Sequence, residues 1–182
     1  EPVIGHDLYP TLLSAAGGSP AAGHQPDGID IATLFKNPSD TLARDTLVWT
    51  SYPLPVHHKN SPQIRHPQSA IRKGDWKLVE TFPSIRGPWS YKLELFNLKQ
   101  DMGESKNLLR EKPAKAEELL NALYAWREKH ATPVFDMHMY CTPDPAQVEA
   151  GVPGVHTRAK PTHQAWATFA HNWLAEQLAD GK

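Results

Sequence analysis

Residues 69–81 carry the strongest local instruction in this chain: Ser69-Ala70-Ile71-Arg72, then the turn formers Lys73-Gly74-Asp75, then Trp76-Lys77-Leu78-Val79-Glu80-Thr81. Two β-prone runs separated by a short glycine turn predict a β-hairpin. An isolated hairpin is at best marginally stable in water, so further strands and a covering layer must come from elsewhere in the sequence. Thr46-Leu47-Val48-Trp49-Thr50 and Leu93-Glu94-Leu95-Phe96-Asn97-Leu98 supply two more strand candidates, enough for a small antiparallel sheet of about four strands.

The cover is found just downstream. Pro113 suits a first helical turn, and the run after it sets Ala116, Leu119, Leu120, Leu123 and Trp126 at spacings of three and four, which predicts a helix over about 113–130 lying across the sheet. A last amphipathic helix opens near Pro161, with Trp166, Phe169, Ala170, Trp173, Leu174 and Leu178 on one side and Gly181 as a stop. At the other end, residues 7–16 predict a short helix: Asp7 stands at its positive end, Pro10 in its first turn, and Gly17-Gly18 after it. That helix is apolar on more than one side through Leu8, Tyr9, Leu12 and Leu13, and therefore calls for a partner larger than this chain supplies. The predicted fold class is α+β, a four-stranded antiparallel sheet packed by a helix, with flanking helices and long loops. The segments divide at 1–45, 46–131 and 132–182.

Composition narrows the function classes. Seventeen prolines against eleven glycines call for long, ordered, irregular connections. A net charge of −1 gives no general field to draw nucleic acid or an anionic membrane, and no apolar run approaches the roughly 18 residues of a membrane-spanning helix. Cys141 is the sole cysteine, which excludes an internal disulfide and a cysteine-based zinc cluster. The start, Glu1-Pro2-Val3-Ile4, has neither an initiator methionine nor signal-peptide character and reads as the middle of a longer chain.

Four blocks stand in a telling order: Asp7-Leu8-Tyr9-Pro10-Thr11-Leu12-Leu13; Asp27-Gly28-Ile29-Asp30-Ile31; the stretch from Ser69 to Leu78; and Glu94-Leu95-Phe96-Asn97-Leu98 with Asp101, Gly103, Glu104, Asn107 and Leu108. Together they resemble the distal third of the arylsulfatase-type, formylglycine-dependent sulfatases of the alkaline phosphatase superfamily. The resemblance implies the end of a large α/β domain, then a C-terminal subdomain with a four-stranded sheet and one helix. It also implies that the matched residues are mostly scaffold, with Asp27-Gly28 and Gly74-Asp75 as turn formers.

The same resemblance defines what to look for in the chemistry. Such enzymes use a Cys or Ser in a Cys/Ser-x-Pro-x-Arg setting, converted to formylglycine, whose hydrated aldehyde is the nucleophile; a divalent cation, usually calcium, is held by Asp and Asn side chains. Cys141-Thr142-Pro143-Asp144-Pro145 does not have that pattern, and no Asp-Asp or Asp-Asn cluster occurs. The expectation is a segment that is inactive alone, with no catalytic residue, metal ligand or cofactor of its own. Calcium and formylglycine are implied for the full-length protein, with the rest of the sulfatase chain as partner and a periplasmic or extracellular location.

Between the first strand and the hairpin lies a stretch rich in anion ligands. His57, His58, Lys59, Arg65 and His66 alternate with prolines, and Trp49 and Tyr52 stand at its start. These seven residues are the candidate substrate-binding set, for a sulfated sugar or aryl ester held by charged donors and aromatic stacking. Relatives often carry a Trp-His-x-Pro-like stretch here, whereas this chain has Trp49-Thr50-Ser51-Tyr52-Pro53. The competing class is a stand-alone, non-catalytic module that binds sulfated glycan or a protein partner through this stretch and the Trp-rich last helix.

Overall fold

The structure is a computed structural model that describes residues 1–51, 68–82, 91–130 and 163–179. The chain divides into two compact units, Glu1–Leu47 and Val48–Lys182.

In the first unit a 3-10 turn at Gly5–Asp7 leads into helix α1, Leu8–Ala15, and a short helix α2 covers Ala32–Lys36. Pro10 falls in the first turn of α1 as its missing N–H requires, and Gly17, at φ 74°, follows the end of the helix. Asp7 stands at the N-terminal end of α1 as the sequence predicts, but its side chain makes no capping bond to the helix. The carboxylate is fully buried and accepts hydrogen bonds from the Ile4 N–H at 2.9 Å, the Ile29 N–H at 3.1 Å, and Arg44 Nη1 and Nη2 at 2.7 and 2.8 Å. One turn on, the Thr11 hydroxyl donates to the Asp7 carbonyl at 2.6 Å and accepts from the Ile31 N–H at 3.0 Å. The first two sequence blocks are thus the two sides of one joint.

Gly28 explains why that joint closes. It is not a left-handed turn glycine, since its φ is not positive. A Cβ there would sit 2.1 Å from the His6 carbonyl oxygen, so only glycine lets the two backbones approach. Asp27 and Gly28 do lie at a bend of the chain, and it is this close approach that requires the glycine there. Gly74, at φ 58°, does match its turn assignment.

The second unit is built on the four-stranded antiparallel sheet that the hairpin demanded: β1 Thr46–Ser51, β2 Gln68–Lys73, β3 Trp76–Thr81 and β4 Lys92–Asn97, in the spatial order β1-β2-β3-β4. Its first two residues, Thr46 and Leu47, lie at the end of the other unit. Register fixes the faces. Ile71 opposes Leu78 and Leu78 opposes Leu95; Ser69 opposes Glu80 and Glu80 opposes Leu93. Cross-strand partners share a face, so these residues point together at helix α3, Pro113–Lys129. Leu119, Leu120 and Leu123 of α3 are fully buried against them. Helix α4, His163–Ala179, packs on α3 and brings Trp166, Phe169, Ala170 and Leu174 into the same cluster. Edge-on aromatic contacts weld this layer, with Phe82 to Trp166 at 5.2 Å, Tyr91 to Phe169 at 4.9 Å and Tyr91 to Trp173 at 5.3 Å.

Trp126 departs from its expected core position. It is half-buried and stacks on His130 at 4.7 Å, while Tyr124 and Arg127 turn inward. The stripe runs 116, 120, 123, 127 at steps of three and four, which puts 126 on its flank. The outer edge of β4 is protected by the turn that follows it. Asn107 Oδ1 accepts the Leu95 and Leu109 N–H groups, each at 3.0 Å, and the Leu108 N–H bonds the Leu95 carbonyl at 2.7 Å. Among the described residues no helix is long and apolar enough to cross a membrane.

Leu119→Ala, which empties a fully buried site, should lower unfolding stability by about 2–5 kcal/mol in urea titration. For Asp7, burial pushes the carboxyl up, but the hydrogen bonds from Arg44, Ile4 and Ile29 prevail and hold it at about 2. A folded-state value below the unfolded one stabilises at neutral pH, here by about 2 kcal/mol, and that contribution is lost as pH falls from about 4 towards 2. Thermal melts across this range should show the loss in the native chain, and Asp7→Asn should flatten it.

Candidate functional site

Of the seven candidate substrate-binding residues, Trp49 is described; Tyr52, His57, His58, Lys59, Arg65 and His66 lie outside the described residues. Their anchor points are fixed, however. β1 ends at Ser51 and β2 begins at Gln68, so in the antiparallel sheet both ends of 52–67 attach at one pole. Gln68 opposes Thr81 and Thr81 opposes Lys92, so the β3–β4 connection attaches at this pole too. The C-terminal part of α3 and the start of α4 also reach it, since Arg127 pairs with Glu80 and Trp166 packs on Phe82.

Immediately beneath this pole is a buried polar cluster. Glu80 is 0% exposed; its Oε1 accepts the hydroxyls of Tyr91 and Tyr124, each at 2.7 Å, and its Oε2 lies 2.6 Å from Arg127 Nη2. The last contact is an ion pair without hydrogen-bond alignment. The Arg127 guanidinium also lies over the Tyr124 ring at 4.6 Å and the Phe82 ring at 5.4 Å. Burial, and then the Glu80 charge, pushes both tyrosine hydroxyls well above their ordinary range, so they remain protonated donors to the carboxylate. No sequence motif announced this cluster. Its only signals were an acidic residue on the apolar face of β3 and an arginine in register with the α3 stripe.

Trp49 occupies the sheet face opposite the helices together with Lys77, whose Nζ stands 5.5 Å from the indole centroid and 2.6 Å from Glu104 Oε1. The indole face towards Lys77 is therefore occupied by an ammonium. His171 bridges the helices, with Nδ1 2.7 Å from the Ala167 carbonyl oxygen and Nε2 2.8 Å from Asn121 Oδ1. It borders an open groove of about 450 Å³ between α3 and α4, with Gln164, Thr168 and Glu128.

None of these arrangements is a cation site of the expected kind. Among the described residues no three His, Cys, Asp or Glu side chains come together as metal ligands. Asp7, the buried carboxylate of the first block, is saturated by Arg44 and two backbone amides. The described residues therefore do not assemble the calcium site that the sulfatase resemblance implies for the full-length protein. The buried network has its own test: Arg127→Leu leaves the buried Glu80 carboxyl without its cation, and should cost about 3–5 kcal/mol in chemical unfolding. The double variant Glu80→Leu/Arg127→Leu should recover a good part of that loss.

No protein-family model matches the chain. It is 32% identical over 139 residues to a protein named Sulfatase from Formosa agariphila, covering 70% of this chain and 23% of that protein. Among solved structures, BT4656 in complex with its substrate D-glucosamine-2-N,6-O-disulfate aligns with a TM-score of 0.51 at 23% identity, over 69% of this chain and 24% of that one. The yidJ protein of Bacteroides fragilis aligns with a TM-score of 0.48 at 17% identity, over 70% of this chain and 25% of that one. The chain thus spans about a quarter of the length of the proteins it matches, and over that span it is similar to the sulfatases in sequence and in fold.

Proposed function

We propose that this chain acts as the C-terminal part of a sulfuric ester hydrolase, supplying scaffold and, through residues 52–67, donors that face a sulfated substrate. The observation that carries the reading is the 32% identity to a sulfatase that is about four times as long as the matched stretch. The formylglycine nucleophile and the calcium ligands then come from the remainder of the parent chain. Exposed apolar side chains in the first unit support that division: Leu8, Tyr9, Leu12 and Phe35 are all more than half exposed. Such a surface calls for a partner, and the rest of the sulfatase chain is the partner this reading supplies.

The role of 52–67 rests on charge and chemistry. His57, His58, Lys59, Arg65 and His66 are donors suited to a sulfate group, and Tyr52 can stack on a sugar ring. Both ends of the stretch attach at one pole of a rigid sheet, the kind of support from which a binding loop works. With Lys77 on one ring face, Trp49 serves better as an anchor at the start of 52–67 than as a stacking platform. The stand-alone binding module loses one of its two supports, because Trp166 and Phe169 of the Trp-rich helix are spent on this unit's own core.

In the full-length protein, replacing His57, His58 and Lys59 together by alanine should raise KM for a sulfated saccharide about tenfold or more with a smaller change in kcat. D-glucosamine-2-N,6-O-disulfate, the substrate of the structural neighbour, is a reasonable first compound. Unchanged kinetics would remove 52–67 from the substrate site.

A further inference from the structure

Among the described residues, Glu104 is the sole non-glycine residue with positive φ, at 54°. For a residue with a full side chain the left-handed region is costly, and Gly103 beside it would have occupied it freely. The local turn accounts for part of the tolerance. The Asp101 carboxylate accepts the Ser105 and Lys106 N–H groups at 2.8 Å each and the Ser105 hydroxyl at 3.0 Å, which fixes the chain on both sides of residue 104. A glycine would satisfy the same turn. What glycine lacks is the carboxylate, and that carboxylate goes to Lys77 at 2.6 Å.

Lys77 is on β3, an inner strand, and its ammonium also faces the Trp49 ring at 5.5 Å on β1, the opposite edge strand. Glu104 belongs to the turn beyond β4. The contacts Glu104–Lys77–Trp49 therefore cross the sheet from beyond one edge to the other, on the face away from α3 and α4. Lys77 is largely shielded, its side chain 16% exposed, so its charge needs both partners.

We infer that Glu104 is a positioning residue: its left-handed backbone places a carboxylate that holds the Lys77 ammonium against Trp49 and so fastens edge strand β1 to the sheet. The strained residue is kept for what its side chain does at a distance, a relation in which local strain marks a functional contact. The inference concerns how β1 is held, and it stands whether or not 52–67 meets a substrate.

Hydrogen exchange on the 182-residue chain separates this from a plain turn role. Glu104→Gly relieves the backbone while removing the carboxylate, so the two roles predict opposite signs. A positioning Glu104 requires faster exchange at the amides of Val48, Trp49 and Thr50, by about tenfold, the scale of one charge-assisted hydrogen bond. The central β3 and β4 amides of Leu78 and Leu95 should stay as protected as before or more so. Glu104→Gln and Lys77→Met should reproduce the β1 effect, their double variant should add nothing further, and Lys77→Arg should largely restore protection. Unchanged or increased β1 protection in Glu104→Gly, or an equal rise in exchange over β1, β3 and β4, overturns the inference.

Discussion

The second unit hangs on a carboxylate that has been taken out of water. Glu80 projects from the middle of an apolar sheet face, where an unpaired charge would cost more than any one core leucine contributes. Its neighbours remove that cost from three directions: Tyr91 at the entry to β4, Tyr124 and Arg127 from α3. Two of these contacts join β3 to α3 and the third joins β3 to the entry of β4, so satisfying one group sets the height and the rotation of α3 over the sheet. The aromatic layer of Phe82, Tyr91, Trp166 and Phe169 then has a single way to close, and α4 follows. An all-apolar layer could be as stable; the charged node adds a requirement for one alignment, at the pole where the β1–β2 and β3–β4 connections attach.

The first unit repeats the device on a smaller scale. Asp7 does for the joint between α1 and residues 27–31 what Glu80 does for sheet and helix, with Arg44 as its cation and Gly28 allowing the backbones to meet. This unit has little core of its own, and the large side chains of α1 remain exposed. That pairing, a precise internal joint beneath an uncovered apolar surface, is what a junction between domains needs: a fixed shape that another body can recognise.

Much of the architecture was legible because it rests on local periodicity. The hairpin, the outer strands, α3 and α4 follow from alternation, turn residues and three-to-four spacing, and each forms within a few residues of its expected bounds. The polar nodes were not legible in the same way. Asp7 reads as a helix-start residue and Gly28 as a turn former, because a buried carboxylate and a close backbone approach depend on residues far apart in sequence. Trp126 fits the three-and-four spacing, three residues after Leu123, but the phase of the buried stripe hands the inward position to Arg127, four residues after Leu123, whose inward turn makes sense only once Glu80 is seen opposite. The candidate site was legible as chemistry, a cation-rich stretch between two strands. Only Trp49 of its seven residues falls where the structure describes it, paired with a lysine two strands away that no sequence spacing could indicate.

The central claim, that this chain works as part of a larger sulfatase, is tested most directly by peptide mass mapping of the native protein that contains residues 1–182. The account predicts a longer polypeptide whose upstream portion carries formylglycine in a Cys/Ser-x-Pro-x-Arg setting. A native polypeptide that consists of these residues alone, with no formylglycine, would contradict it and favour a non-catalytic binding module on a sulfatase-derived fold.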